Sequence, residues 1–270
     1  MLADTHCHLN FEAFDSDRSE VIARARDVGI KHMLNPGIDL KSSQAAIELA
    51  DAYPEVFAAV GVHPNDSLTW DDLSLDKLRE LAKLPKVVAI GEIGLDYYRD
   101  RAPREVQKHV FRQQLSLAAE MSLPVVIHTR NANTQDRQAV SDVLDILEEW
   151  QAELAASGSG LAERPGVLHS YSADEIAAQQ ATAINFWIGV TGPVTFRNAV
   201  ELQSVVASLP LERMLIETDA PFLTPQPHRG QRNEPAYVRL VAEKIAQIHH
   251  LPFDQVAGAT TASAERLFNW

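Results

Sequence analysis

The chain has one cysteine, Cys7, in 270 residues, so an intramolecular disulfide is excluded. No apolar run approaches the roughly 18 residues that a membrane helix needs. The first residues, Met1-Leu2-Ala3-Asp4-Thr5-His6, lack the charged and apolar regions of a secretory signal. These absences predict a reduced, soluble, cytoplasmic protein. Basic residues are also in deficit: 24 Lys and Arg stand against 37 Asp and Glu, a net charge of −13 with histidine neutral. A broad basic footprint for gripping duplex DNA is therefore missing, although bound cations and a few local arginines could still receive phosphate. Glycine and proline, at 12 and 14, are too few for a collagen-like or low-complexity chain.

What is present is enough apolar residue, 46%, to fill a sizeable core. Short runs rich in Val, Ile and Leu recur at Leu2–Thr5, His32–Asn35, Val56–Val62, Val87–Ile90, Val125–Ile127, Val167–Leu168, Ile184–Val190 and Arg213–Ile216. Each has the length and composition of a parallel strand buried on both faces. Helical patterns separate them at Ser19–Val28, Ser42–Tyr53, Leu73–Leu84, Arg104–Met121 and Asp136–Ala156. In Arg104–Met121 the apolar Val106, Val110, Leu117 and Met121 keep one face, with Gln107, Lys108, Arg112 and Gln113 between them.

This alternation predicts an α/β fold, a single (β/α)8 TIM barrel over residues 1–270, rather than an open doubly wound sheet. A doubly wound sheet would carry a glycine-rich phosphate turn after its first strand, and none follows Leu2–Thr5. Ser157-Gly158-Ser159-Gly160 reads as the joint between the fifth helix and the sixth strand, and Phe253–Trp270 as a helix closing the barrel.

Histidines and acids gather at the ends of these runs: His6 and His8, His63, Glu92, His128, His169, then Glu217 and Asp219. Side chains two apart on a strand share a face, so both imidazoles of His6-Cys7-His8 can enter the barrel mouth while Cys7 turns away. In a barrel all these ends converge on one face. A lone His-x-His is weak, and a single such histidine is usually a hydrogen-bonded neutral imidazole. The joint pattern is harder to explain without a cation, because uncompensated buried carboxylates are costly. His32, His109, His249 and His250 lie in or beside helical or polar stretches and read as surface or structural. Four histidines and two carboxylates are too many for one tetrahedral site, so two ions are expected, with a carboxylate such as Glu92 able to bridge them.

The motifs resemble the TatD-like metal-dependent hydrolases, a DNase branch of the amidohydrolase superfamily. The resemblance runs through Asp4-Thr5-His6-Cys7-His8-Leu9, Val60-Gly61-Val62-His63-Pro64 and Ala89-Ile90-Gly91-Glu92-Ile93-Gly94-Leu95-Asp96-Tyr97-Tyr98. It continues in Leu123-Pro124-Val125-Val126-Ile127-His128-Thr129-Arg130, Glu217-Thr218-Asp219-Ala220-Pro221 and Arg229-Gly230-Gln231-Arg232-Asn233. It implies that His6, His8 and Asp219 hold one divalent ion, that Glu92 bridges to a second, and that His128 and His169 complete that second site. Glu217 would act through water or an additional ion. No lysine follows Val87–Ile90 within the motif to serve as the carboxylated bridge of other branches. The chain departs from the family at Ser170-Tyr171-Ser172-Ala173, where Phe-x-Gly is frequent, and at Ser263, where Asn is frequent.

The implied activity is phosphodiester hydrolysis of DNA, especially of single strands from the 3′ end, with no membrane or obligate protein partner and a monomer as the default. Asp219 and Glu92 are the expected catalytic carboxylates, Asp219 orienting a metal-activated water and accepting its proton. Mg or Mn is expected in activity, with Zn, Fe or Co as alternative occupants. His63 and Arg130 are candidate phosphate contacts. Arg229 and Arg232 either guide an incoming strand or anchor a loop. Tyr98 either stacks on a base or, as the favoured reading, buries its hydroxyl beneath the loop. Two rival functions share these residues: an amidase, lactonase or deacylase acting on a small molecule, and a non-catalytic metal-stabilised module.

Overall fold

The computed structural model describes residues 1–99 and 101–270. Its eight parallel strands follow one another around the sheet in chain order. They are β1 (Leu2–Asp4), β2 (Ile30–Pro36), β3 (Val56–Val60), β4 (Val87–Asp96), β5 (Val125–Arg130), β6 (Gly166–Leu168), β7 (Trp187–Val190) and β8 (Met214–Ile216). The outer helices are α1 (Arg18–Asp27), α2 (Leu40–Ala52), α3 (Ser74–Ala82), α4 (Arg104–Met121), α5 (Gln138–Ala156), α6 (Glu175–Ala183), α7 (Val200–Ser208) and α8 (Val238–His249), and α9 (Phe253–Phe268) follows them. The chain forms the (β/α)8 barrel that its alternation predicts. No helix among the described residues is long and apolar enough to cross a membrane.

Alternation along the strands separates two apolar layers. Met33, Ala58, Ile127, Ile188 and Met214 face the helices, while their neighbours Leu34, Ala59, Val126, Trp187 and Leu215 fill the barrel interior. Leu267 and Phe268, near the end of α9, join this interior cluster from below. α9 thus closes the barrel at the N-terminal ends of the strands, as expected.

Local chemistry sets the helix ends. At the start of α2 the Asp39 side chain accepts the Ser42 backbone N–H (2.6 Å), and Ser42 Oγ accepts the Asp39 N–H (2.9 Å), a reciprocal cap. The helices α8 and α9 stop at His250 and Asn269, both left-handed. Gln107 departs from its expected place on the polar face of α4: it is buried, its Oε1 accepting the Asp96 N–H (2.8 Å) and its Nε2 donating to the Asp96 carbonyl (3.0 Å). Gln114 clamps Val62 in the same way.

The strand β4 is longer than its apolar run. The sequence suggests an end at Ile90, before the glycines, but the strand continues to Asp96, with a shift in its pairing to β5 between Ile90 and Ile93. Gly94 makes this possible, at φ +135° and so close to β5 that any Cβ would collide with the His128 carbonyl. The seam between β8 and β1 is held by individual contacts: Thr5 N–H to Ile216 O (3.2 Å), Asp219 N–H to His6 O (2.8 Å) and His8 N–H to Ala220 O (2.7 Å). Across it the fully buried Asp4 carboxyl accepts from the Thr218 N–H (2.9 Å) and hydroxyl (2.6 Å). Burial pushes the Asp4 pKa up to about 8 against the pull of those hydrogen bonds.

Candidate metal centre

The interior row of side chains changes character toward the C-terminal ends of the strands. On β5 Val126 is followed two residues later by His128, on β6 Val167 by His169, and on β8 Leu215 by Glu217. The shift within β4 brings Glu92 to the same cavity. His6 and His8 follow β1 with their Nε2 atoms 3.2 Å apart, while Cys7 is fully buried with its Sγ toward the Leu34 carbonyl. His6, His8, Glu92, His128, His169 and Asp219 thus gather in one place.

Four donor atoms form a compact cage. His6 Nε2 lies 3.5 Å from Glu92 Oε2 and 3.8 Å from Asp219 Oδ1. His8 Nε2 lies 3.7 Å and 3.6 Å from the same two oxygens. A tetrahedral site with ligand bonds near 2.1 Å has edges of about 3.4 Å, so the His6, His8 and Glu92 donors, which converge as one group, fit a small divalent ion, with Asp219 adjoining through the histidines. The other Glu92 oxygen, Oε1, faces a second set: His128 Nδ1 at 2.8 Å, His169 Nε2 at 3.2 Å and His63 Nε2 at 3.7 Å. Convergent ligand groups fall on both sides of Glu92: His6, His8 and Glu92; His6, His169 and Asp219; His63, Glu92 and His128.

The ionisation of these groups is strongly coupled. Burial opposes the charge of Glu92, but His169 beside it and hydrogen bonds from His128, His169 and His6 hold its carboxyl well below the usual range. Asp219 is also held down against burial, through His8, His169 and His6. Burial likewise opposes the charge on His169, yet Glu92 and Glu217 raise it well above an ordinary imidazole. His128 is raised in the same sense by Asp96 and Glu92. Burial lowers His6. A cation in the cage would replace the protons that now balance these carboxylates.

Outer residues orient the donors. Glu217 is fully buried, accepts the Ser170 N–H (2.9 Å) and comes within 3.3 Å of His169 Nδ1. Only glycine fits at 189, since a Cβ there would overlap the Glu217 carboxylate. Asp96 Oδ2 lies 3.2 Å from His128 Nε2 and accepts from Asn65 Nδ2 at the same distance. Neither Asp96 nor Asn65 stood out in the sequence, because the strand that carries Asp96 reads there as already broken.

His63 differs from the other imidazoles. Its Nδ1 accepts the Asn65 backbone N–H (3.0 Å), and burial drives its pKa down to about 3, so the neutral ring keeps its proton on Nε2, toward Glu92. It offers a donor, where the cage offers acceptors.

Above the donors opens a cavity of about 580 Å³, lined by His63, Arg130, Arg99, Arg101, Phe11 and Phe222 among others. Arg229 and Arg232 do not line it. The Arg232 guanidinium makes paired bonds to Asp17 (2.7 and 2.6 Å) and donates to the Ala13 carbonyl (2.6 Å), and Arg229 lies 4.4 Å from the centre of the Phe196 ring. The buried packing favoured for Tyr98 is not found. Tyr98 is 53% exposed beneath the Arg130 guanidinium (4.0 Å), and its neighbour Tyr97 is the buried one, donating to Asp142 Oδ2 (2.6 Å).

Residues 3–269 match the TatD related DNase family. The chain is 42% identical over 268 residues to the uncharacterized metal-dependent hydrolase YabD of Bacillus subtilis, covering 99% of each. It is 37% identical over 271 residues to the 3′-5′ ssDNA/RNA exonuclease TatD of Cronobacter turicensis, covering 98% of this chain and 97% of that one. Among solved structures, the TatD homologue YjjV of Escherichia coli superposes with a TM-score of 0.89 at 30% identity, covering 100% of this chain and 98% of the other. A metal-binding cage at the open end of a (β/α)8 barrel and whole-length matches agree: the chain belongs to the TatD related DNase family and is a metal-dependent hydrolase.

Proposed function

We propose that the protein is a two-metal deoxyribonuclease that removes nucleotides from the 3′ end of single-stranded DNA. The observation that carries the reading is the division of Glu92, whose Oε2 faces His6 and His8 while its Oε1 faces His128 and His169. In this reading His6, His8, Asp219 and Glu92 would hold one ion, and Glu92, His128 and His169 the other. Two divalent ions, Mg or Mn in activity, supply Lewis acidity toward a phosphoryl oxygen and activated water near neutral pH. The protein groups do the rest. Asp219 turns Oδ1 to the histidines, which leaves Oδ2 to orient the attacking water and take its proton. His63 Nε2–H and the Arg130 guanidinium donate to the phosphate oxygens. Glu217 and Asp96 hold His169 and His128 in orientation.

Single strands suit a chain of net charge −13 whose arginines Arg99, Arg101 and Arg130 border the cavity. The exonuclease activity named for the Cronobacter relative supports the direction of digestion and extends the substrate class to RNA. The test is a gel assay on 5′-labelled single-stranded DNA with Mn²⁺ or Mg²⁺ and an EDTA control, alongside metal analysis. The expected result is a metal-dependent ladder shortening from the 3′ end, from protein holding two ions per chain. Hydrolysis of carboxyl esters with no cleavage of any oligonucleotide would overturn it in favour of a small-molecule hydrolase.

A further inference from the structure

The cavity has two unlike walls. One, beyond β3, β4 and β5, carries Arg99, Arg101 and Arg130 along with Asp66 and Asp96. The other carries Phe11, Phe222 and Leu223. Phe11 stacks on His8, with ring centres 4.5 Å apart and planes at 16°. Phe222 meets both rings edge-on, 6.1 Å from Phe11 and 6.4 Å from His8. Phe222 is 51% exposed, yet its backbone is pinned. The Phe222 N–H donates to the Asp219 carbonyl (2.8 Å), and the Phe222 carbonyl accepts from Asn233 Nδ2 (2.6 Å).

A large ring held open to water on a fixed backbone forgoes the gain of burial. It also belongs to a wider asymmetry. Of the exposed large apolar side chains among the described residues, only Met1 and Leu84 lie at the closed end of the barrel, and the rest follow the C-terminal ends of strands. Aromatic rings opposite arginines, beside a phosphate-cleaving centre, match the two parts of a nucleotide. A base has a π-face for the rings, and the backbone carries charge for the guanidiniums.

We propose that Phe222, backed by Phe11, is the platform on which the base of the terminal nucleotide stacks, while the chain leaves across the opposite wall past Arg130. This rests on the nuclease reading above. Contact through a π-face accepts any base, so the platform selects for a base without selecting its identity. It also sets the terminal phosphodiester against the cage, because Phe11 lies directly on His8.

The experiment crosses a change in the protein with a change in the substrate. Cleavage of an oligothymidylate and of the same strand with an abasic 3′-terminal residue is measured in Mn²⁺, each normalised to hydrolysis of methyl p-nitrophenyl phosphate. The wild type should favour the intact strand by about tenfold to a hundredfold in kcat/KM, the range expected for losing one stacked base. Phe222→Ala should lose that preference, with intact and abasic strands cleaved alike, and Phe222→Trp should keep it. Equal losses on both strands in Phe222→Ala, or a wild type indifferent to the terminal base, would overturn the platform while leaving the nuclease standing. A wild type that hydrolyses the small diester but no oligonucleotide would overturn the nuclease reading, and the platform with it.

Discussion

The two ends of the barrel are built from the same strands and behave as opposites. At the closed end β1 contributes Ala3, β4 Ala89 and β8 Leu215, packed with Leu267 and Phe268 of α9. A few residues further along, the same strands lead to His6, Glu92 and Glu217. The closed end gains apolar burial without buried charge. The open end holds carboxylates and imidazoles away from water, an arrangement that stays costly unless they pair with one another or with a cation. The barrel thus divides stability from chemistry along the strand axis.

That division predicts opposite responses to substitution. At the open end, Glu92→Gln should lower hydrolysis by about a thousandfold, the scale of losing a preorganised electrostatic group. Metal analysis should show a loss of bound ions. A variant that keeps both ions would break the assignment of Glu92 as the bridge. At the closed end, Phe268→Ala should leave turnover per folded molecule intact and cost about 3 kcal/mol of stability, the lower part of the range for a buried phenylalanine. Urea denaturation followed by circular dichroism measures this. A comparable loss of activity in the folded fraction would mean that the two ends are coupled.

The same contrast explains what the sequence could reveal. The strands were legible because most carry a short run that is apolar on both faces, and the histidines because each stands just past such a run, where the barrel forces convergence. Other features depend on contacts that no local pattern encodes. Asp96 was hidden because Gly91 and Gly94 look like a break, whereas Gly94 lets β4 run on beside His128. Gln107 occupies a polar position by spacing and is buried because the Asp96 backbone needs a partner. Arg232 reads equally as a strand guide or a loop anchor until Asp17, far away in the chain, is seen to hold it. Phe11 and Phe222 lie in loops, where hydrophobic periodicity carries no signal.

The smallest expected effect also belongs to the closed end. His32 is half-buried on β2, stacked on Trp270 with ring centres 5.1 Å apart and planes at 12°, and near Phe57 at 5.4 Å. Its Nδ1 is buried without a hydrogen-bond partner in the structure. Burial lowers its pKa below the ordinary 6.5, and Glu265 only partly offsets this. The unfolded chain therefore takes up a proton at a higher pH than the folded one. The stability that the neutral ring contributes is complete above pH 6.5 and is lost as the pH falls from there through the folded pKa. His32→Phe keeps an aromatic ring against Trp270 and removes the titration. Between about pH 8 and pH 5 the wild type should lose more stability than this variant. The depressed imidazoles of the open end, His6 and His63, titrate in the same direction in both proteins and cancel in the difference. Parallel pH profiles for the two proteins would show that the closed end does not resist protonation, and would confine pH sensitivity to the open end.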